Sequence, residues 1–131
     1  MIVVDASAVL ELLLGTARGS AVAAHLTTTT EPIAAPHVVD LEVAQVLRRL
    51  QAAGVISVPR ARQALEDHRS LGWLRFDHAA LLDRIWELRK NLTAYDAAYV
   101  ALAEASSSPL LTCDAKLASA PGHSATVVLV R

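Results

Sequence analysis

What the chain lacks narrows the problem first. Its 131 residues hold one cysteine, Cys113, which excludes an internal disulfide framework and any multi-cysteine metal centre. No sign of charge dominates: the formal net charge is −1, so no overall basic field marks a nucleic-acid binder. A small site can nevertheless be strongly charged on a nearly neutral protein. The five histidines, His25, His37, His68, His78 and His123, are scattered without the spacing of a zinc site, and each reads as a surface or capping residue. No apolar run approaches the length of a membrane span. Met1-Ile2-Val3-Val4 runs into Asp5 without the basic n-region of a leader, so the expected location is the cytoplasm.

What is present is apolar and periodic. Hydrophobic residues make up 53% of the chain and the mean hydropathy is +0.38, which excludes a disordered chain and favours layers buried on both faces. The length suits one domain, residues 1–131. Ile2-Val3-Val4 reads as a buried strand. It leads into a helix through Leu14, with Ser7 as its N-cap and Gly15 as its stop. A second helix is expected from Gly19 to Leu26, and Thr27 to Thr30 reads as an exposed polar turn. A second strand, Pro32 to Ala35, is closed by Pro36, and an amphipathic helix follows from Val38 to Ala53. Pro59 begins a helix to about Leu71, Trp73 to Phe76 reads as a strand, and Asp77 caps a helix from His78 to about Lys90. A helix over Thr93 to Glu104 is apolar nearly all round, the mark of a buried helix. A strand at Pro109 to Thr112, a short helix from Asp114 to Ala118 and a strand at Thr126 to Val130 complete the pattern. This alternation predicts an α/β sandwich with a mainly parallel sheet of about four to five strands.

Carboxylates mark the candidate chemistry. Asp96 lies in the first turn of the buried helix and shares a face with Tyr99, Val100 and Ala103. Thr93 three residues earlier fits a capping box, and an acid there suits the helix dipole, so a purely structural role is also open. Asp5 closes the first strand and Asp114 follows the fourth by two residues. In an open parallel sheet ligands bind beyond the carboxyl ends of the strands, where both acids would arrive. Either is equally a turn or N-cap residue. The helix from Val38 offers Asp40 and Glu42. With Val39 at zero and roughly 100° per residue, its apolar stripe centres near 20° while Asp40 falls near 100° and Glu42 near 300°. Periodicity does not choose between them. Converging carboxylates repel one another unless a cation intervenes, and an all-oxygen set suits Mg²⁺ or Mn²⁺. Ser7 is a further candidate through its hydroxyl.

Four segments taken together resemble a known family: Ile2 to Val9, Pro36 to Val43, Leu92 to Glu104 and Leu110 to Asp114. Their order and spacing are similar to those of PIN-domain proteins, specifically the VapC type of toxin ribonuclease from bacterial toxin–antitoxin pairs. The resemblance implies a PIN-like three-layer α/β/α sandwich and assigns metal-site acids to Asp5, Glu42, Asp96 and Asp114, choosing Glu42 over Asp40. It gives Ser7 and Thr112 supporting roles, leaving Cys113, between Thr112 and Asp114, as packing. It also implies Mg²⁺- or Mn²⁺-dependent hydrolysis of RNA, a cognate antitoxin and a homodimer. Arg18, Arg48, Arg49, Arg89, Lys90 and Lys116 are the candidates for phosphate contact, though each reads more readily as an ordinary solvated side chain and none is singled out. The first helix, with Val9, Leu10, Leu12, Leu13 and Leu14, suits either the core or a partner helix. A receiver domain is disfavoured, because Ala6 follows Asp5 where that fold wants a second acid and no lysine follows Lys116. A PIN nuclease of RNA processing and a catalytically silent PIN scaffold are the remaining alternatives.

Overall fold

Val3 and Val4 are completely buried, and the strand that carries them, β1 (Ile2–Val4), forms the centre of the sheet. A computed structural model describes all residues 1–131. Around β1 lie β2 (Ile33–Pro36), β3 (Leu74–Phe76), β4 (Leu110–Thr112) and β5 (Val127–Leu129), in the order β3-β2-β1-β4-β5. Every pairing is parallel; Val3 sits opposite Ala34 on one side and Leu110 on the other. Central strands of such a sheet are covered on both faces, which is why β1 and β4 read as unbroken apolar runs.

The helices are α1 (Ala6–Leu14), α2 (Ala17–Thr27), α3 (Val38–Ala52), α4 (Val58–Ser70), α5 (Leu82–Glu87), α6 (Ala94–Ala105) and α7 (Ala115–Ser119). The chain winds from β1 through β2 to β3 in one direction, then crosses back to β4 and β5. Right-handed crossovers therefore place α1 to α4 on one face and α5 to α7 on the other, giving three layers. The α/β/α sandwich with a parallel five-stranded sheet agrees with expectation. The reversal between β1 and β4 opens a crevice at their carboxyl ends.

Local chemistry sets the element ends. Asp5, not Ser7, is the N-cap of α1: its Oδ1 accepts the Ala8 N–H at 3.0 Å. Both residues are good caps, and the one whose backbone is still extended as β1 ends takes the role. Gly15 closes α1 in the left-handed conformation at φ 66°. Thr16 caps α2, which therefore starts two residues before the expected Gly19. Gly19 is required by contact: a Cβ there would stand 2.0 Å from the Glu11 carbonyl oxygen of α1. Ser57 caps α4, so Pro59 is its second rather than first residue.

The helix expected over 78–90 is split. A 3₁₀ turn at Ala79–Leu81 comes first, with His78 rather than the expected Asp77 at its N-cap although Asp77 Oδ1 accepts the Ala79 N–H; α5 follows, and residues 88–91 turn through bonds such as Asn91 N–H to the Leu88 carbonyl. Burying both Leu88 and Leu92 while setting Thr93 as an extended cap breaks the helix there. The core is one cluster of 27 buried residues, to which α6 contributes an uninterrupted run from Ala97 to Ala103. Each large aliphatic side chain so buried contributes roughly 1.5–3 kcal/mol relative to exposure.

Candidate active site

Asp5 is the anchor of the crevice and is 4% exposed. Its Oδ1 accepts the Ser7 hydroxyl at 2.6 Å as well as the Ala8 N–H, and its Oδ2 accepts the Thr112 hydroxyl. Each hydroxyl has one proton, and both are spent on Asp5. Ser7 Oγ is then free to accept the Cys113 N–H at 2.9 Å, and Thr112 Oγ1 the Asp114 N–H at 3.0 Å. The end of β4 is thus tied to the end of β1 through one carboxylate. Burial pushes the Asp5 pKa up, against the pull of these hydrogen bonds.

Asp96 arrives from the other face, on the first turn of α6. The capping role foreseen for its turn exists: Thr93 caps the helix and its Oγ1 accepts the Asp96 N–H at 3.2 Å. The carboxylate itself borders the cleft, and burial together with the charge of Asp114 raises its pKa. Asp114 also serves twice, capping α7 through the Lys116 N–H at 2.9 Å while lining the same cleft. Glu42 enters from α3. Its Oε1 accepts the Tyr99 hydroxyl at 2.8 Å, yet burial, followed by the charges of Asp96 and Asp5, raises its pKa. Tyr99, 1% exposed on α6, was legible only as a neighbour of Asp96 on its helical face; burial and Glu42 hold its phenol protonated far above the ordinary range.

Asp40 is excluded by position. It turns away from the cleft, where Arg75 of β3 donates to it from Nε at 3.0 Å and Nη2 at 2.9 Å, and His68 of α4 approaches at 2.6 Å. Burial works against ionisation, but the hydrogen bonds from Arg75 and His68 prevail and hold Asp40 below the usual carboxylate range. The expectation that every histidine is a surface or capping residue fails at His68, which is 3% exposed and fixed in this cluster. Nothing in the sequence pairs residues 40, 68 and 75.

The cleft of about 760 Å³ is lined by Asp5, Glu42, Asp96 and Asp114, with Ser7 and Tyr99 beside them. No ion pair of the protein involves any of the four acids. Their donor set is all oxygen, and ionised together they need positive charge that no basic side chain is paired to supply. No three of these acids stand close enough together to enclose a metal ion by themselves. The donor chemistry fits a hard divalent cation. The helix α1 belongs mainly to the core: Val9, Leu10 and Leu13 are buried, and only Leu10 among its leucines also lines the cleft. Cys113 is partly buried beside the core, and burial raises its pKa, consistent with packing.

Comparison with known proteins identifies the family. Residues 2–122 match the PIN domain family. Ribonuclease VapC1 of Mycobacterium tuberculosis (strain H37Rv) is 44% identical over 131 residues, covering 98% of this chain and 97% of that protein. Ribonuclease VapC12 of the same strain is 40% identical over 130 residues and covers 99% of each chain. The crystal structure of PAE2754 from Pyrobaculum aerophilum superposes with a TM-score of 0.64 at 26% identity, over 90% of this chain and 84% of that one. With the acid cleft at the sheet's switch point and these relatives spanning nearly its full length, the chain belongs to the PIN-domain family, in its VapC branch.

Proposed function

We propose that this chain is a Mg²⁺- or Mn²⁺-dependent endoribonuclease and the toxin of a toxin–antitoxin pair. The observation that carries the reading is the convergence of Asp5, Glu42, Asp96 and Asp114, from four separate segments, on one cleft without a paired protein cation. Relatives 40–44% identical over most of the chain bear the name ribonuclease, which supports RNA as substrate.

Asp5, Glu42, Asp96 and Asp114 would hold the cation, partly through water. When bound, it supplies the charge that acidifies an attacking water and neutralises the phosphate oxygens. Asp5 serves as the fixed point, since Ser7, Thr112 and Ala8 lock both its oxygens. Tyr99 fixes Glu42, which lines the cleft, by one carboxylate oxygen. The raised pKa of Glu42 and of Asp96 makes either carboxylate a better proton acceptor than an exposed acid. Water attacks phosphorus in line, the 3′ oxygen departs and takes a proton, and the products carry a 5′-phosphate and a 3′-hydroxyl.

The same negative cleft suits a basic side chain of an antitoxin, which would silence the enzyme by occupying the place of the cation. A homodimer acting in the cytoplasm completes the proposal. Antitoxin-free protein is to be incubated with total bacterial RNA and Mg²⁺ or Mn²⁺, beside EDTA, Asp5→Asn and Asp96→Asn. Cutting that needs metal and disappears in both variants is expected. Cutting that survives both substitutions overturns the four-acid site.

A further inference from the structure

The chain has 12 lysines and arginines, and only two of them, Arg48 and Arg49, line the acid cleft. The other basic residues singled out by the sequence lie elsewhere: Arg18 pairs with Glu11, Arg89 stacks on Trp86, and Lys90 and Lys116 do not reach the cleft walls. Of the rest, Arg60 donates to the Leu13 carbonyl, Arg69, Arg75 and Arg84 are each paired with an acid, and Arg62 and Arg131 do not line the cleft. Arg48 and Arg49 make neither an ion pair nor a side-chain hydrogen bond, and both are exposed. Two uncommitted guanidinium groups therefore share a cleft with four carboxylates.

Their placement follows from helical geometry. Glu42, Gln45 and Arg49 are spaced three and four apart on α3, so they form one line along its surface, and all three face the cleft. Arg49 lies seven residues beyond Glu42, a rise of roughly 10 Å along the axis. Arg48 widens the positive end. The cleft is thus polar along its length: acids at the switch point of the sheet, a neutral amide midway, and two arginines two turns away. A phosphodiester strand with its reacting phosphate at the acids would run along α3 and bring a neighbouring phosphate to the arginines. Guanidinium groups present planar donor forks that match phosphate oxygens.

We infer that Arg48 and Arg49 form the RNA-backbone subsite of this cleft, holding a phosphate to one side of the scissile bond. The inference rests on the proposed nuclease reading and adds to it the residues and the direction of substrate binding. Such contacts position the strand without reading its sequence, and they act alike on ground state and transition state. The subsite accordingly governs KM and leaves kcat nearly unchanged.

The test compares Arg48→Gln, Arg49→Gln and the double variant with Arg18→Gln and Arg89→Gln as controls. Steady-state cleavage of RNA in Mn²⁺ is measured for each. Binding of a fluorescein-labelled mixed-sequence single-stranded RNA is followed across a salt series in an Asp96→Asn background. The double variant is expected to raise KM about tenfold with kcat within twofold, and to flatten the salt slope of binding by about 0.7, the share of one neutralised phosphate on a single strand. Mn²⁺ affinity stays at the wild-type value. Unchanged KM and salt slope in the double variant, with wild-type protein cutting normally, overturn the subsite alone. So does an equal loss in the Arg18 or Arg89 control, or a loss confined to binding of a protein partner. Absence of cutting and binding by the wild type overturns the nuclease reading and this inference with it.

Discussion

Asp40 and Glu42 stand two residues apart on α3 and meet opposite fates. At about 200° around the helix axis they point to opposite sides. Asp40 meets Arg75 and His68 and is held ionised below the ordinary range, whereas Glu42 meets Tyr99 and is pushed above it by burial and by the charges of Asp96 and Asp5. The first cluster is balanced within the protein; the second is balanced only by something that binds. Arg84 and Glu104 repeat the first pattern, two parallel bonds of 2.9 Å holding Glu104 down at about 2. A fold that pairs its other partly buried acids and leaves one group bare marks that group as functional.

Breaking the bare cluster is expected to have the largest effect. Asp5→Asn or Asp96→Asn should lower RNA cleavage by roughly a hundredfold or more, because each removes a charge from the proposed cation site. Asp40→Asn should leave cleavage within a few-fold and instead reduce stability by about 1–2 kcal/mol in urea titration, since Arg75 and buried His68 lose the carboxylate charge they face while solvent screens the rest. A cleavage loss in Asp40→Asn equal to that in Asp96→Asn would erase the distinction.

Tyr99→Phe sharpens the contrast from within. It removes only the donor to Glu42 and keeps the buried ring. Mn²⁺ affinity by calorimetry should fall about tenfold, with the fold retained by circular dichroism. Unchanged affinity would show that Glu42 needs no orienting partner.

The two clusters also predict opposite pH responses. Asp5, Glu42 and Asp96 have raised pKa values, so the folded metal-free protein binds more protons than the unfolded chain above the ordinary carboxylate range. Stability from these groups is full below their unfolded pKa and is lost as pH rises through the folded values. Glu104 does the reverse: its contribution is full above its unfolded value of 4.5 and is lost as pH falls toward about 2. In EDTA, Tm should therefore rise modestly on acidification from neutrality and fall again below the ordinary carboxylate range. Mg²⁺ or Asp96→Asn should flatten the rise; a monotonic fall in Tm from neutrality downward would contradict the unpaired state of the site.

Much of this was legible in the sequence because it is local. The apolar run before Asp5 and the all-round apolar character of α6 follow from composition over a few residues, and both elements lie where expected. The strand-end position of Asp5 and Asp114 follows from their neighbours as well. The choice between Asp40 and Glu42 was not local: they flank the apolar stripe symmetrically, and only Arg75 from β3 and His68 from α4 separate them. The tie between Asp5 and Thr112, 107 residues apart, is likewise beyond local reading. The selection of Arg48 and Arg49 from six basic candidates required the cleft itself.

The most direct test of the central claim is calorimetric titration of Mn²⁺ into wild-type protein, Asp96→Asn and Asp40→Asn. The account predicts equal affinity for wild type and Asp40→Asn and at least tenfold weaker binding by Asp96→Asn. Wild-type affinity in a folded Asp96→Asn, or loss of binding in a folded Asp40→Asn, would contradict it.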